Sequence, residues 1–408
     1  MKKNRTFRAK VLRENAEINL APNPVTADVY DGVTIDLDCH GWPTIHKGMD
    51  GTLYAVSSVR KTHMDPYGAI GMTQSSDGGQ TWTPYRIIID TPLDDRDCGI
   101  IDLGGGHLMV WWFSPDATNY LGKNYRDWYY YRCNAAQRDA LLKKMESIVG
   151  TEAALGGSFV SHSLDGGKTW GEKMRVPVSS PHGPTLMNDG KTLLSSGHYY
   201  FSERYDGQKW VQPNIYAVIS KDGGYTWEVL ASLPRPKPTF GCPCEPHILQ
   251  LKDGTILLAY RDNGNGPDRG ELKTSIARSE DGGKTWSEFE RVLNANGGPP
   301  HLYQLNDGKV LLTYGCRTAP ACGERCVVSE DSGKTWSNEM VLSVAKAGYC
   351  NDLGYPSSTQ LDDGTILSLY YQRLDNNEAD DDKLMYAPSL LLTKWNLIEE
   401  AGWYEDEE

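Results

Sequence analysis

Apolar and polar positions alternate along this chain in short runs, and each pair of runs is joined by a glycine-containing turn. EPHILQLKDGTILLAY, from Glu245, shows the unit: a strand-like run, an Asp-Gly turn, then a second and more apolar run. Alternation of this kind predicts half-buried β-strands, and Asp-Gly between two of them predicts a hairpin. The shape recurs as GWPTIHKGMDGTLYAV from Gly41, HGPTLMNDGKTLLSSG from His182, PPHLYQLNDGKVLLTY from Pro299 and YPSSTQLDDGTILSLY from Tyr355. CGIIDLGGGHLMVWW from Cys98 is a degenerate copy, which makes six units.

A second pattern runs in phase with the first. SSDGGQTW at Ser75 returns as SLDGGKTW at Ser163, SKDGGYTW at Ser220, SEDGGKTW at Ser279 and SEDSGKTW at Ser329. The glycines accept the positive φ of a tight turn, Ser and Asp can hydrogen-bond the turn backbone, and the closing Trp can pack beneath it. A residue set that recurs in five equivalent places cannot be one active site, so its role is architectural.

Repeats at this spacing, each with room for four short strands, predict an all-β fold: a six-bladed β-propeller. Residues 1–408 are expected to form it as a single domain. The first strand of several units opens at a proline, which cannot donate to a ladder and so belongs at a strand start. LMYAPSLLLTKWN, near the C-terminus, is a candidate last strand, and the segment before Trp42 is a candidate for the strand that closes the ring. Residues 114–157 break the period. They are expected to form a helical insertion in the second blade, at the rim, with NAAQRDALLKKMESIVG as its helix and the aromatic NYRDWYYYR just ahead.

Charge narrows the partners. A net charge of −13 and a pI near 5.2 argue against nucleic acid and against an anionic membrane surface. No run approaches the roughly 20 apolar residues of a membrane span, and no apolar leader follows the basic N-terminus, so the chain reads as cytoplasmic. The 23 Tyr and 12 Trp, against 6 Phe, suit sugar stacking and sheet packing alike. Nine irregularly spaced cysteines read as free thiols. Cys242-Pro-Cys244 and the group Cys316, Cys322 and Cys326 lack zinc-site spacing, and no metal or cofactor is expected. Oligomeric state is left open.

The repeated Ser-x-Asp-x-Gly-x-Thr-Trp resembles the Asp box of the sialidase (neuraminidase) superfamily, a family of six-bladed propellers. The resemblance implies a pocket at the starts of the inner strands, and three positions match it. Glu245 precedes Arg261 by sixteen residues, Tyr355 precedes Gly364 by nine, and Asp65 lies in VRKTHMDPYGAIGMTQSSDGG ahead of the first box. By resemblance, Tyr355 is the nucleophile, Glu245 its activating carboxylate, Asp65 the acid/base and Arg261 one of three carboxylate-binding arginines. The chemistry is coherent, because a phenol near pKa 10 needs a neighbouring base to become a nucleophile, and a separate acid must protonate the leaving oxygen.

The departures are equally specific. Where sialidases carry Arg-Ile-Pro, this chain has Gly41, Trp42 and Pro43, so the first arginine is missing. Arg317 and Arg325 both lie near the third arginine position, and Tyr371 stands where a supporting Glu is expected. Trp42, Arg60 and Arg317 are expected to bind substrate. His40, His182, His247 and His301 crowd the strand starts as well. Sugar contact, catalysis, a metal site with Glu245, or plain hydrogen bonding within the ring of strands all remain open for them. The expected function is an exo-acting, sialidase-like glycoside hydrolase for a terminal sugar, acidic in the first instance. The alternatives are a polysaccharide lyase or atypical glycosidase using the histidines, and a non-catalytic glycan-binding propeller.

Overall fold

The structure is a computed structural model that describes residues 6–18, 25–63, 65–121, 133–199, 215–234, 243–264, 271–292, 295–318, 320–345, 353–373 and 388–400. Blade I shows the plan: Cys39–Lys47 innermost, then Leu53–Arg60, Ala69–Ser75 and Arg86–Ile89 outermost, all antiparallel. Five more blades follow, opening at Arg96, Val178, Pro243, Pro300 and Gly354. The fold is the six-bladed propeller that the repeats predict.

Second strands are largely apolar and deeply buried because both their faces are covered. Leu53–Arg60, Val310–Cys316 and Ile366–Gln372 are buried at every position. The cores lie between blades: Val56 and Ile70 of blade I pack with Ile100, Val110 and Trp112 of blade II. Truncating one such leucine or isoleucine to Ala costs about 2–5 kcal/mol.

The ring closes as expected. Blade VI takes Gly354–Gln360, Ile366–Gln372 and Ser389–Glu400 from the C-terminal part of the chain, and its outer strand is Thr6–Glu17. The pairing runs from Thr6 opposite Glu400 to Glu17 opposite Leu391.

The boxes sit between third and fourth strands, at the end of the propeller away from the inner-strand starts. Their chemistry is local. In the fourth copy Ser279 Oγ donates to Asp281 Oδ1, which also accepts the Thr285 N–H at 2.9 Å, while Oδ2 takes the Thr285 hydroxyl at 2.7 Å. These bonds hold the Asp281 carboxyl below its usual range. The five tryptophans (Trp82, Trp170, Trp227, Trp286 and Trp336) are half-buried against the inter-blade cores. The fifth copy has Ser332 where the others have glycine. It adopts φ 57° all the same, and its hydroxyl donates to Asp253 Oδ2 at 2.6 Å.

Three features depart from the simple plan. The inner strand of blade III is reduced to Val178–Ser179 and Thr185–Leu186, because Pro181 and Pro184 lack the N–H groups a continuous ladder needs. A hairpin that the repeat did not foresee, Val25–Tyr30 with Val33–Leu37, precedes blade I. The helix, α1 (Ala135–Ile148), lies between the second and third strands of blade II and starts at a capping box made by Asn134 and Gln137. It buries Ala140 and Leu141 against Val29 and Ile35 of the hairpin, and Gln137 donates to Thr34 O. NYRDWYYYR lies outside the described residues. The reading of all cysteines as free thiols fails at Cys322, which is disulfide-bonded, whereas Cys39, Cys98, Cys133, Cys244, Cys316 and Cys326 are free. Among the described residues no helix is long and apolar enough to cross a membrane.

Candidate active site

Four inner strands carry a bulge just after they begin. Register slips between Gly41 and Thr44, Arg96 and Gly99, Cys244 and His247, and Gly354 and Ser357. In each slip one side-chain-bearing residue is left-handed: Trp42, Asp97, Glu245 and Tyr355, with φ of 51°, 51°, 50° and 51°. Such a conformation costs a non-glycine residue about 1–3 kcal/mol and persists only where the surroundings enforce it. All four stand nine residues before a turn glycine, Gly51, Gly106, Gly254 or Gly364. Blades III and V have Pro181 and Pro299 at that position, whose rings lock φ near −65° and forbid this bulge.

The bulges bring the predicted pair together. Tyr355 donates its hydroxyl to Glu245 Oε1 at 2.5 Å, and Arg261 Nη1 holds Glu245 Oε2 at 2.8 Å. Burial, reinforced by the Glu245 charge, raises the Tyr355 phenol well above its usual range. The two candidates for the third arginine lie in different places. Arg317 lies over the Tyr355 ring, 5.9 Å from its centroid, with Nε and Nη2 donating to Leu353 O. Arg325 is turned away and donates to the carbonyls of Glu324, Ser343 and Ala321.

Trp42 and Tyr371 stand beside this pair. Trp42, Tyr355 and Tyr371 form one buried aromatic cluster with centroids 5.9–6.1 Å apart. Two guanidiniums lie on the Trp42 ring, Arg60 at 4.4 Å and Arg96 at 4.3 Å. Arg60 is wholly buried: Nη1 pairs with Asp94 Oδ1 at 2.8 Å and Nη2 donates to Asp95 O. Its expected substrate contact is therefore corrected to a support beneath Trp42. Asp94 also accepts from Tyr120 at the base of the insertion, at 2.8 Å, and lies 3.6 Å from Arg96.

Asp65 is present on its loop but engaged there. It accepts the N–H of Lys61 at 2.6 Å and of Tyr67 at 2.9 Å, and burial raises its carboxyl despite those bonds. Lys144 of α1 sits over the Tyr67 ring of the same loop. Asp97 is the residue that the sequence reading missed. Burial raises its carboxyl to about 6 against the pull of Arg96, and the Glu245 charge pushes the same way. Its signal was available in the nine-residue spacing to Gly106, hidden because the degenerate unit has no Asp-Gly turn and no proline to mark its start.

The histidines separate into two groups, neither of which touches Tyr355, Glu245 or Arg261 in any described contact. His247 and His301 lie two residues further along their strands than Glu245 and Pro299, and they meet His182 with ring centroids 4.4–5.6 Å apart. His182 Nδ1 is 3.1 Å from Thr44 Oγ1, His247 Nδ1 accepts from the Leu302 N–H, and His301 bonds Ser357 and Ser358. These bonds tie inner strands of different blades around the axis. Burial keeps all three neutral, with His247 near 3. His40 lies elsewhere, 3.3 Å from Ser57 Oγ and edge-on to Tyr85. Among the described residues no group of three or more His, Cys, Asp or Glu stands ready to hold a metal ion.

A family model described as a BNR repeat-like domain matches residues 138–369. The chain belongs to the BNR repeat-like family. A sialidase from Bacteroides fragilis is 25% identical over 348 residues, covering 78% of this chain, and the chain spans 57% of that sialidase's length. Among solved structures, the NanB sialidase of Streptococcus pneumoniae superposes with a TM-score of 0.61 at 15% identity, over 92% of this chain and 70% of that one. An α-L-arabinofuranosidase of Fusarium graminearum gives 0.56 at 14% identity, over 94% and 98%. Membership of this BNR repeat-like family and these superpositions agree on a sialidase-like propeller.

Proposed function

We propose that this chain is an exo-acting glycoside hydrolase in which Tyr355 and Glu245 act as one unit. The observation that carries the reading is the 2.5 Å hydrogen bond from the Tyr355 hydroxyl to Glu245 Oε1, with Arg261 holding the other carboxylate oxygen. Glu245 takes the phenolic proton as the Tyr355 oxygen attacks the anomeric carbon, so the nucleophile enters the reaction neutral. Arg261 fixes the rotamer of Glu245 and balances its charge. As the new carbon–oxygen bond forms, the bond to the leaving oxygen breaks, and Asp65 protonates that oxygen. The raised carboxyl of Asp65 favours the proton-bearing form this step requires. Water then releases the sugar with Asp65 as base, and configuration at the anomeric carbon is retained.

Support comes also from the names of the similar proteins, a sialidase in sequence and a sialidase and an arabinofuranosidase in fold, all sugar-cleaving. A histidine-based lyase has less behind it, because the three clustered histidines are neutral and committed to inter-blade hydrogen bonds.

The test is a fluorinated glycosyl fluoride that traps the glycosyl-enzyme, followed by peptide mapping. The label is expected on Tyr355, and Tyr355→Phe should lose about 10³-fold or more in kcat/KM. Full activity in that variant, or inversion at the anomeric carbon, would refute the mechanism. Glycan binding with no turnover of any glycoside would favour a non-catalytic propeller.

A further inference from the structure

Each guanidinium of the site already has an acceptor within the chain. Arg60 and Arg96 share Asp94, Arg96 also lies 3.9 Å from Asp97, Arg261 holds Glu245, and Arg317 holds Leu353 O. Arg60 and Arg96 additionally face the Trp42 ring and are 0% and 7% exposed. Arg60, Arg96 and Arg261 are thus each set against a carboxylate, Asp94, Asp97 or Glu245, and the described bonds of Arg317 go to a backbone carbonyl. A substrate carboxylate would have to compete with these acceptors for its cation, and burying a charge poorly paired costs several kcal/mol.

The place of the missing arginine adds a second, steric observation. Gly41 is buried, and among the described residues no atom outside its two chain neighbours lies within 4 Å of where its Cβ would stand. Tyr371, at the position where the family pattern has a Glu to support that arginine, packs on Trp42 and Tyr355 instead. Two positions that by resemblance would form an ion pair, one to grip a carboxylate and one to hold the gripping residue, carry a glycine and an aromatic ring instead. Aromatic rings suit the C–H face of an uncharged sugar.

We infer that the site takes a terminal sugar bearing no carboxylate, an aldose rather than a sialic acid, with Gly41, Trp42 and Tyr371 setting that preference. This rests on the hydrolase reading above and names its substrate class.

The experiment uses the full chain with two sets of probes: methylumbelliferyl N-acetylneuraminide, and neutral methylumbelliferyl pentosides and hexosides. At least one neutral glycoside should be preferred over the sialoside by about 100-fold in kcat/KM, the size of one poorly paired buried charge. Gly41→Arg should narrow that ratio by weakening neutral turnover and admitting the sialoside. A wild-type preference for the sialoside overturns the inference and leaves the hydrolase reading standing. If no glycoside is cleaved, the hydrolase reading falls, and thermal shift still decides the ligand class. Stabilisation by a neutral iminosugar and not by 2-deoxy-2,3-didehydro-N-acetylneuraminic acid supports the inference, and the reverse overturns it.

Discussion

Two sets of left-handed residues repeat around this propeller, one at each end. The boxes repeat one pattern in five copies, mostly with glycine at positive φ, and its shared Ser, Asp and Thr bond within their own turn. The inner-strand bulges use one geometry in four blades but fill it with four different residues, Trp42, Asp97, Glu245 and Tyr355, none of them glycine. Repetition of both shape and residue marks a stabilising device. Repetition of shape with divergent residues marks places where the fold bears strain to aim chemistry.

The largest effect should come from the bulges. Glu245→Gln leaves Arg261 without its ion pair and Tyr355 without a base. It should lower kcat/KM by about 10²–10³-fold, with the cooperative melt intact. A box variant such as Asp281→Ala should leave kcat/KM within about twofold while lowering Tm. Loss of activity in the box variant, or full activity in Glu245→Gln, would erase the distinction between the two ends.

Acid should break the axis before it breaks the boxes. His182, His247 and His301 bind protons in the unfolded chain near pH 6.5 but not when folded until far lower, near 3 for His247. The unfolded state therefore holds more protons across that window, and stability should fall steadily as pH drops from 6.5 toward 3. Thermal melts over this range check it, and His301→Gln should flatten the slope. A Tm unchanged between pH 7 and pH 4.5 would contradict the buried neutral histidine cluster.

The two kinds of Asp should respond oppositely to pH. Asp281, held below its usual range, stabilises at neutral pH and loses that contribution as pH falls. Asp97, raised to about 6, makes the folded chain hold the extra proton, so its ionisation costs stability above pH 6 and nothing below about 4. Asp97→Asn should raise Tm at pH 7.5, leave it level at pH 4, and reduce activity throughout. The smallest effect is expected for Ser332→Gly, where relief of a φ of 57° is offset by loss of the bond to Asp253. The net change should stay within about 0.5 kcal/mol in denaturant melts.

Blade number, the order of strands and the closing role of both chain ends were legible in the sequence because box and hairpin repeat in phase. The Glu245–Arg261 and Tyr355 positions were singled out through the family resemblance, which their spacing within the blade matched. Asp97 escaped because its unit lost the Asp-Gly signature that marked the others. The roles of Arg60 and the histidines were not legible either. Burial decides them, and a strand start on paper does not tell the pocket from the layer beneath it. The hairpin at Val25–Leu37 belongs to no repeat, so periodicity had nothing to say of it.

The outer strand of blade VI carries a kinetic consequence. Thr6–Glu17 is made before every other strand of the propeller, yet its partner, Ser389–Glu400, follows almost four hundred residues later. Five blades can assemble during synthesis, but the sixth must wait with an unpaired edge, and the first-made strand must stay available throughout. Closure of the ring is thereby tied to synthesis of the last strand of blade VI. A circular permutant that makes the two strands neighbours in sequence would convert that last, longest-range step into a local hairpin.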